Sequence, residues 1–181
     1  MRERTLVMIK PDAVKRGLVG EIITTFERAG LQITKLKMLR PSRELAEKHY
    51  PDDDEWYAAA GGKTLKGYKE YGLNVQEALG TEDPIAIGHM IKNWLVEFLT
   101  SGEVVTMIIE GNLAVSNVRR LCGHTLPIFA EPGSIRGRYS VDSPDMGNAE
   151  KRPVYNLIHA SGTPEEAEAE IKLWFGDQSQ S

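Results

Sequence analysis

The chain has 181 residues, of which 41% are hydrophobic and 27% are charged. This length suits one domain with a sizeable core, and the balance excludes a largely disordered or fibrous protein. Lysine and arginine total 22 against 26 aspartates and glutamates, and the net charge of -4 provides no general attraction to nucleic acid or to an anionic membrane. We therefore expect neither nucleic acid nor a membrane as a partner.

The cellular compartment is indicated by cysteine use and by the apolar runs. Cys122 is the only cysteine, which excludes an internal disulfide and is typical of a reducing compartment. The apolar runs have the length of strands and are too short to span a bilayer. The first residues lack the apolar stretch of a secretory signal. These features predict a cytoplasmic protein.

The first predicted elements are a strand, a helix and a second strand. Leu6–Ile9 is a continuous apolar run, typical of a central strand buried on both faces. Apolar side chains from Val19 to Phe26 follow helical spacing, and Gly30 closes that helix. Residues 31–39 alternate as a strand, and Ser42 caps a short helix after it.

Residues 51–84 interrupt this pattern. The segment is rich in Asp, Gly, Lys and Tyr and has no convincing period, so we interpret it as an insertion. A helix follows, with Thr81 or Asp83 as its cap. Residues 104–109 then read as a strand, and a further helix comes after them.

The last third of the chain begins with an irregular stretch over 123–153, rich in proline and glycine. A loop of this length in a compact domain usually has a binding or assembly role. Residues 154–159 are the last predicted strand, and Thr163-Pro164-Glu165-Glu166 is a capping box that starts the last helix. The tail over 177–181 is polar, and we expect it to fray.

This order of elements predicts the fold class. Two strand–helix–strand units with antiparallel pairing indicate an α+β fold, the ferredoxin-like split βαβ sandwich, in which helices pack on a four-stranded antiparallel sheet. We expect residues 1–181 to form a single domain. A parallel doubly wound sheet is the competing topology, and the missing glycine fingerprint after the first strand disfavours it.

Several motifs point to chemistry only weakly. Gly62-Lys63-Thr64 suggests a phosphate-binding loop, but Tyr57 stands where that motif needs a glycine, and no apolar strand precedes it. Cys122 and His124 are two soft ligands without a second pair, whereas structural zinc sites use four. His49 lies within a predicted helix, and we assign it no more than a surface or packing role.

His159 is the stronger candidate. It ends the last predicted strand directly before a capped helix, where free backbone N–H groups can hold phosphate. Asn156 and Ser161 surround it with hydrogen-bonding side chains. Glu170 could return alongside the strand and accept a hydrogen bond from one ring nitrogen, leaving the other as a nucleophile. The alternative is a structural histidine at a strand end.

Three cations are candidates for a phosphate site: Lys10, Arg119 and Arg136. Each alone is usually a solvated surface residue. Brought together in an otherwise acidic protein, they would suit a polyphosphate, whose transfer depends on positioning and charge stabilisation. Their spacing in the chain does not reveal whether they converge.

Six stretches of the chain carry a resemblance to a known family. They are residues 3–12, 16–23, 49–50, 132–137, 156–161 and 170–175. In this order, and with the Asn156-x-x-His159-x-Ser161 element joined to the opening Ile9-Lys10-Pro11-Asp12, the chain resembles a nucleoside diphosphate kinase. The resemblance covers most of the chain outside the two inserted regions.

The resemblance implies a fold, a reaction and a site. The fold is ferredoxin-like. The reaction moves the γ-phosphoryl group of a nucleoside triphosphate such as ATP or GTP onto a nucleoside diphosphate by a ping-pong mechanism through a phosphohistidine. His159 would be the nucleophile, with Glu170 and Ser161 orienting it. The positions that match phosphate and ribose contacts are Lys10, Tyr50, Arg119, Thr125, Arg136 and Asn156. Mg²⁺ would arrive with the nucleotide, held by its phosphates and by no direct protein ligand.

Two departures from the family pattern bear directly on the site. Gly162 stands where the family usually has Asp, a residue that helps hold a metal-bound water, so altered metal dependence is expected. The insertion after Tyr50 disturbs the position that stacks on the base, and Trp56, Tyr57 and Ile91 all remain candidates.

The resemblance also implies a homo-oligomer. The expansion over 140–152 enlarges a loop that this family uses in subunit contacts, so the size could differ from the usual hexamer or tetramer. The alternative function is a nucleotide-binding or regulatory module on the same fold with weakened catalysis, marked by Gly162 and the insertions.

Overall fold

The computed structural model describes residues 2–70 and 72–177. Its strands are β1 (Arg2–Ile9), β2 (Gln32–Leu39), β3 (Val104–Asn112) and β4 (Ile158–Ala160). The helices are α1 (Pro11–Lys15), α2 (Val19–Arg28), α3 (Arg43–His49), α4 (Asp54–Glu70), α5 (Val75–Leu79), α6 (Pro84–Thr100), α7 (Ala114–Cys122), α8 (Ile135–Tyr139), α9 (Pro144–Ala149) and α10 (Pro164–Phe175). A 3₁₀ turn covers Pro127–Phe129. The expected fraying beyond residue 177 falls outside the described residues.

The four strands form one sheet in the order β2-β3-β1-β4, and every neighbouring pair is antiparallel. β1 lies inside the sheet, where the continuous apolar run Leu6–Ile9 is fully buried. A strand covered on both faces has no polar side, which is why this run does not alternate. The α+β class and the ferredoxin-like antiparallel sheet are confirmed.

Helices cover both faces of the sheet. On one face, Val7 and Ile9 belong to a core with Phe26 of α2 and Val118 of α7. On the other face, Leu6 and Met8 belong to a core built with α3, α6 and α10. Because successive side chains of a strand point to opposite faces, β1 supplies both cores.

The site is positioned by the pairing of β1 with β4. His159 lies opposite Met8, and Ile158 lies opposite Ile9. The next residue of β1, Lys10, donates its backbone N–H to the carbonyl oxygen of Leu157 at 2.8 Å. The end of β1 and the start of β4 are therefore fixed side by side.

The last strand is shorter than the sequence predicted, covering Ile158–Ala160 rather than 154–159. Leu157 adopts a left-handed backbone conformation with φ 69°. A non-glycine residue with this φ cannot continue a strand, so the ladder begins only after it.

Residues 51–84 hold more regular structure than their composition suggested, since α4 and α5 both lie within them. α4 packs on α6, and Tyr68, Leu79 and Ile87 form a third core between the inserted helices and α6. Gly62-Lys63-Thr64 lies inside α4, so it is not a phosphate loop. The cap of α6 is Asp83, which accepts the N–H of Ala86 at 3.0 Å.

The stretch over 123–153 is also partly regular, because it contains the 3₁₀ turn, α8 and α9. Ser134 caps α8 by accepting the N–H of Gly137 at 3.2 Å. Across the described residues, none of the helices has the length and apolar character needed to cross a membrane.

Two glycines let α4 and α6 touch backbone to backbone. A Cβ on Gly61 would lie 1.9 Å from the carbonyl oxygen of Pro84. A Cβ on Gly88 would lie 2.2 Å from the carbonyl oxygen of Tyr57. The two contacts are reciprocal, one glycine on each helix, and neither leaves room for a methyl group.

We expect Gly88→Ala to lower the free energy of unfolding by about 1–3 kcal/mol, the usual cost of overpacking. The matched control is Gly62→Ala, because nothing lies within 4 Å of a Cβ at that position of α4. An alanine there should stabilise the helix by about 0.5–1 kcal/mol. Urea denaturation of both variants measures the two effects. Equal effects of the two substitutions would contradict the close packing.

Candidate functional site

Most of the predicted site residues line one pocket of about 220 Å³ at the end of β1: Lys10, Arg119, Thr125, Arg136, Asn156 and His159. A larger, more open cleft of about 670 Å³ includes Tyr50 and charged side chains of α3 and α6. None of its described lining residues is one of the three candidate cations or His159. We therefore place the site in the smaller pocket.

His159 is oriented by a buried carboxylate. Its Nε2 lies 2.7 Å from Oε1 of Glu170. The other carboxylate oxygen, Oε2, accepts the hydroxyl proton of Ser161 at 2.6 Å. A carboxylate can only accept, so Nε2 carries the ring proton and Nδ1 is left with its lone pair. The arrangement leaves Nδ1 as the ring nitrogen that could act as a nucleophile.

The fold brings these three residues together by running α10 back along β1. Thr163 caps α10, and Glu170 is one of the buried residues of that helix. Ser161 is fully buried, and its backbone N–H donates to the carbonyl oxygen of Leu6 at 3.2 Å. The carboxylate of Glu170 on α10 therefore contacts the C-terminal end of β4, where His159 and Ser161 lie.

His49 is a site neighbour that the sequence analysis treated as a packing or surface residue. Its ring centroid lies 4.6 Å from that of His159, with the planes at 84°. Its Nδ1 accepts the indole N–H of Trp174 at 3.3 Å and lies 3.7 Å from Oε1 of Glu170. Burial lowers the pKa of His49 to about 3, so the ring is neutral. The one sequence signal that could have placed His49 at the site was its position in residues 49–50, one of the six stretches that carry the family resemblance.

Two buried cations stand beside His159. Nζ of Lys10 donates to Oδ1 of Asn156 at 2.8 Å. Burial, reinforced by the charge of Arg136, lowers the pKa of Lys10 to about 8. Arg136 donates to the carbonyl oxygens of Asn156, Gly123 and Ile158 at 3.1, 2.7 and 2.7 Å. A guanidinium has five N–H donors, so two remain for a ligand.

Hydrogen bonds fix both Asn156 and the strained residue after it, Leu157. Nδ2 of Asn156 donates to the carbonyl oxygen of Thr125 at 2.9 Å. The left-handed Leu157 donates its N–H to Oδ2 of Asp12 at 3.0 Å, while its carbonyl accepts from Lys10. A left-handed leucine costs energy, and these two hydrogen bonds offset that cost. Asp12 is a support that the sequence analysis did not single out, although the Lys10-Pro11-Asp12 run contained it.

Four other residues lie away from the pocket. Tyr50 is in contact with His49, at 5.0 Å between ring centroids, but lines the larger cleft. None of the three candidates for base stacking is among the described residues that line the pocket. Tyr57 stacks on His89 with 3.8 Å between ring centroids. Ile91 packs in the third core, and Trp56 lies edge-on to Tyr57.

The electrostatics favour a neutral imidazole at His159. Burial lowers the pKa of His159 to about 3, with Lys10, Arg136 and Arg119 acting in the same direction. Burial raises the pKa of Glu170. A positive charge on the ring is therefore disfavoured in the free protein, and Nδ1 keeps its lone pair at neutral pH.

Nitrogen-15 NMR can test this geometry without a ligand. We expect His159 to remain neutral, with the proton on Nε2, from about pH 7.5 to 5.5, whereas an unperturbed imidazole titrates near 6.5. In Glu170→Gln the amide can donate as well as accept, so the preference for Nε2–H should be lost. A His159 titration near pH 6.5, or a proton on Nδ1 in the unsubstituted protein, would contradict the arrangement.

Comparison with known proteins gives one consistent result. The model of the family described as nucleoside diphosphate kinase matches residues 3–59 and 88–180. A nucleoside diphosphate kinase of Pyrobaculum aerophilum is 52% identical over 176 residues, which cover 97% of this chain and 96% of that protein. One of Thermococcus kodakarensis is 42% identical over 173 residues, covering 96% and 76%.

Solved structures agree. The crystal structure of an NDP kinase from Pyrobaculum aerophilum aligns with a TM-score of 0.94 and 51% identity, covering 97% of this chain and 96% of that one. A nucleoside-diphosphate kinase from Borrelia burgdorferi, a transition state mimic with bound vanadate and ADP, aligns with a TM-score of 0.75 and 34% identity, covering 97% and 88%. The unmatched residues 60–87 begin inside the insertion and end three residues after it, whereas the match to the Pyrobaculum aerophilum protein covers 97% of this chain.

Proposed function

The chain belongs to the nucleoside diphosphate kinase family of enzymes, and we propose that it transfers the γ-phosphoryl group of a nucleoside triphosphate to a nucleoside diphosphate through a phosphohistidine at His159. The observation that carries this proposal is the hydrogen bond of 2.7 Å between Nε2 of His159 and Glu170. It leaves Nδ1 unprotonated on a residue that lines a pocket with three cations. ATP, GTP and other nucleotides are the proposed partners.

In the first half-reaction, Nδ1 of His159 attacks the γ-phosphorus. The N–P bond forms as the bond from that phosphorus to the β–γ bridging oxygen breaks, and the nucleoside diphosphate leaves with that oxygen. The ring becomes positively charged, and Glu170 stabilises this charge through Nε2–H. Ser161 holds the carboxylate in place by its own hydrogen bond.

In the second half-reaction, a different nucleoside diphosphate enters the same pocket. A terminal oxygen of its β-phosphate attacks the phosphohistidine, the N–P bond breaks, and Nδ1 regains its lone pair. Donor and acceptor use one site in turn, which produces ping-pong kinetics. No second site is required.

The pocket supplies positive charge where the phosphates would lie. We propose that Lys10, Arg119 and Arg136 neutralise the phosphate oxygens as charge moves towards the leaving group. Asn156 and Thr125 complete the proposed phosphate and ribose contacts inside the pocket, whereas Tyr50 lines the larger cleft and would contact the nucleotide only from that side. Arg136 and Asn156 are already fixed by hydrogen bonds to backbone carbonyls, so these two groups need little reorganisation on binding.

Magnesium fits as an ion that arrives with the nucleotide. His49, His159 and Glu170 have potential ligand atoms within 4.8 Å of one another, but two of the three are nitrogens and all are hydrogen-bonded. Mg²⁺ prefers six oxygen ligands, several of them water, and is usually shared with substrate phosphates. When bound, it would neutralise and orient the phosphates.

We also propose that the enzyme is a homo-oligomer in a reducing, cytoplasmic setting. β2 lies at one edge of the sheet and exposes Leu36 and Met38 by 48% and 51%. An exposed edge strand with apolar side chains is a ready pairing surface for a second copy. Cys122 is a buried free thiol, as a reducing compartment allows.

Substitutions separate the nucleophile from its supporting cations. We expect His159→Ala to abolish phosphate exchange between ATP and GDP, because the covalent route is lost. Arg119→Ala should retain measurable turnover, reduced by ~10²–10³. The matched control is Arg120→Ala, whose side chain lies next in α7 but does not line the pocket, and it should be near normal. Exchange by His159→Ala at a comparable rate would refute the proposal.

A further inference from the structure

Glu166 is unexpected where it lies. Among the described residues it is the one acidic side chain that lines the pocket of His159, together with Lys10, Arg119 and Arg136. A carboxylate beside bound phosphates repels them, and this weakens binding unless a cation stands between the two. Phosphate binding alone therefore gives no reason for a negatively charged Glu166 in this pocket.

The side chain of Glu166 turns back past the start of its own helix. Its backbone N–H donates to the cap, Oγ1 of Thr163, at 3.1 Å. In a capping box its carboxylate would return to the N–H of the cap residue. Instead, Oε2 accepts the N–H of Gly162 at 2.7 Å. This carries the carboxylate to the end of the strand that bears His159.

Gly162 makes the room for it. A Cβ at this position would lie 2.6 Å from Oε2 of Glu166 and 3.7 Å from Nη1 of Arg119. Any side chain at position 162 would displace the carboxylate. Position 162 is a glycine and has no carboxylate of its own. In the structure, the carboxylate of Glu166 occupies the space beside it.

We propose that Glu166 holds the magnesium ion of the bound nucleotide, through its carboxylate and the ion's water ligands. Mg²⁺ in phosphate-transfer sites is usually bound by one or two carboxylates together with substrate phosphates and water. Oε2 is engaged by Gly162, whereas Oε1 has no hydrogen-bond partner within the described residues. The inference rests on the proposed function, because it requires a nucleotide in this pocket.

Calorimetry with ADP, in Mg²⁺ and in EDTA, tests the proposal without relying on turnover. The quantity of interest is the gain in ADP affinity that Mg²⁺ provides. We expect Glu166→Gln to reduce this gain about fivefold, the effect of an exposed charge contact. Affinity in EDTA should stay level or rise, because a repulsive charge is removed. Glutamine can still accept from Gly162, so the local backbone is preserved.

The matched control is Glu165→Gln. It removes the same charge from the same helical turn, but Glu165 is not among the residues lining the pocket. Its Mg²⁺ gain should equal that of the unsubstituted protein. A second variant, Glu166→Ala with Gly162→Asp, moves the carboxylate to the neighbouring residue and should restore the gain that Glu166→Ala alone loses.

Three results would overturn the proposal. Glu166→Gln could show the normal Mg²⁺ gain, Glu165→Gln could lose as much as Glu166→Gln, or Glu166→Gln could weaken binding equally in EDTA. Each would leave Glu166 with a structural role. Failure of the proposed function is a different outcome, since the unsubstituted protein would then neither bind ADP nor take up phosphate from ATP.

Discussion

The site depends on one buried carboxylate. Glu170 accepts hydrogen bonds from His159 and Ser161, one on each oxygen, and burial raises its pKa. A buried charge is costly unless its hydrogen-bonding capacity is used, and here it is. The same two bonds fix the tautomer of the histidine and the contact between α10 and β4. Stability and chemistry therefore rest on the same atoms.

A second set of contacts holds the pocket open for anions. Arg136 binds three backbone carbonyls, which joins the loop at Gly123 to the strained segment before β4. Asp12 and the backbone of Lys10 hold Leu157 in its left-handed conformation. With these partners the cations are preorganised, although burial lowers the pKa of both Lys10 and Arg136. A bound polyphosphate would restore the favourable environment for their charge.

Local patterns predicted the sheet and the starts of α3, α6 and α10, because Leu6–Ile9 and the Ser42, Asp83 and Thr163 caps act over a few residues. They did not predict α4, whose glycines and weak apolar face are stabilised by α6 rather than by intrinsic propensity. For the site, the motifs named the residues that converge. They could not reveal the ring contact between His49 and His159, or the hydrogen bond from the N–H of Gly162 to the carboxylate of Glu166. Those contacts depend on how elements pack, which spacing along the chain does not encode.

The position of phosphate on His159 tests the central claim most directly. The protein is incubated with γ-labelled ATP and Mg²⁺, and the phosphorylated nitrogen is identified by phosphorus NMR. Because Glu170 occupies Nε2, phosphate should appear on Nδ1 of His159 and should be discharged by GDP or CDP. Phosphate on Nε2, on another residue, or in a form that diphosphates cannot discharge would contradict the proposed mechanism.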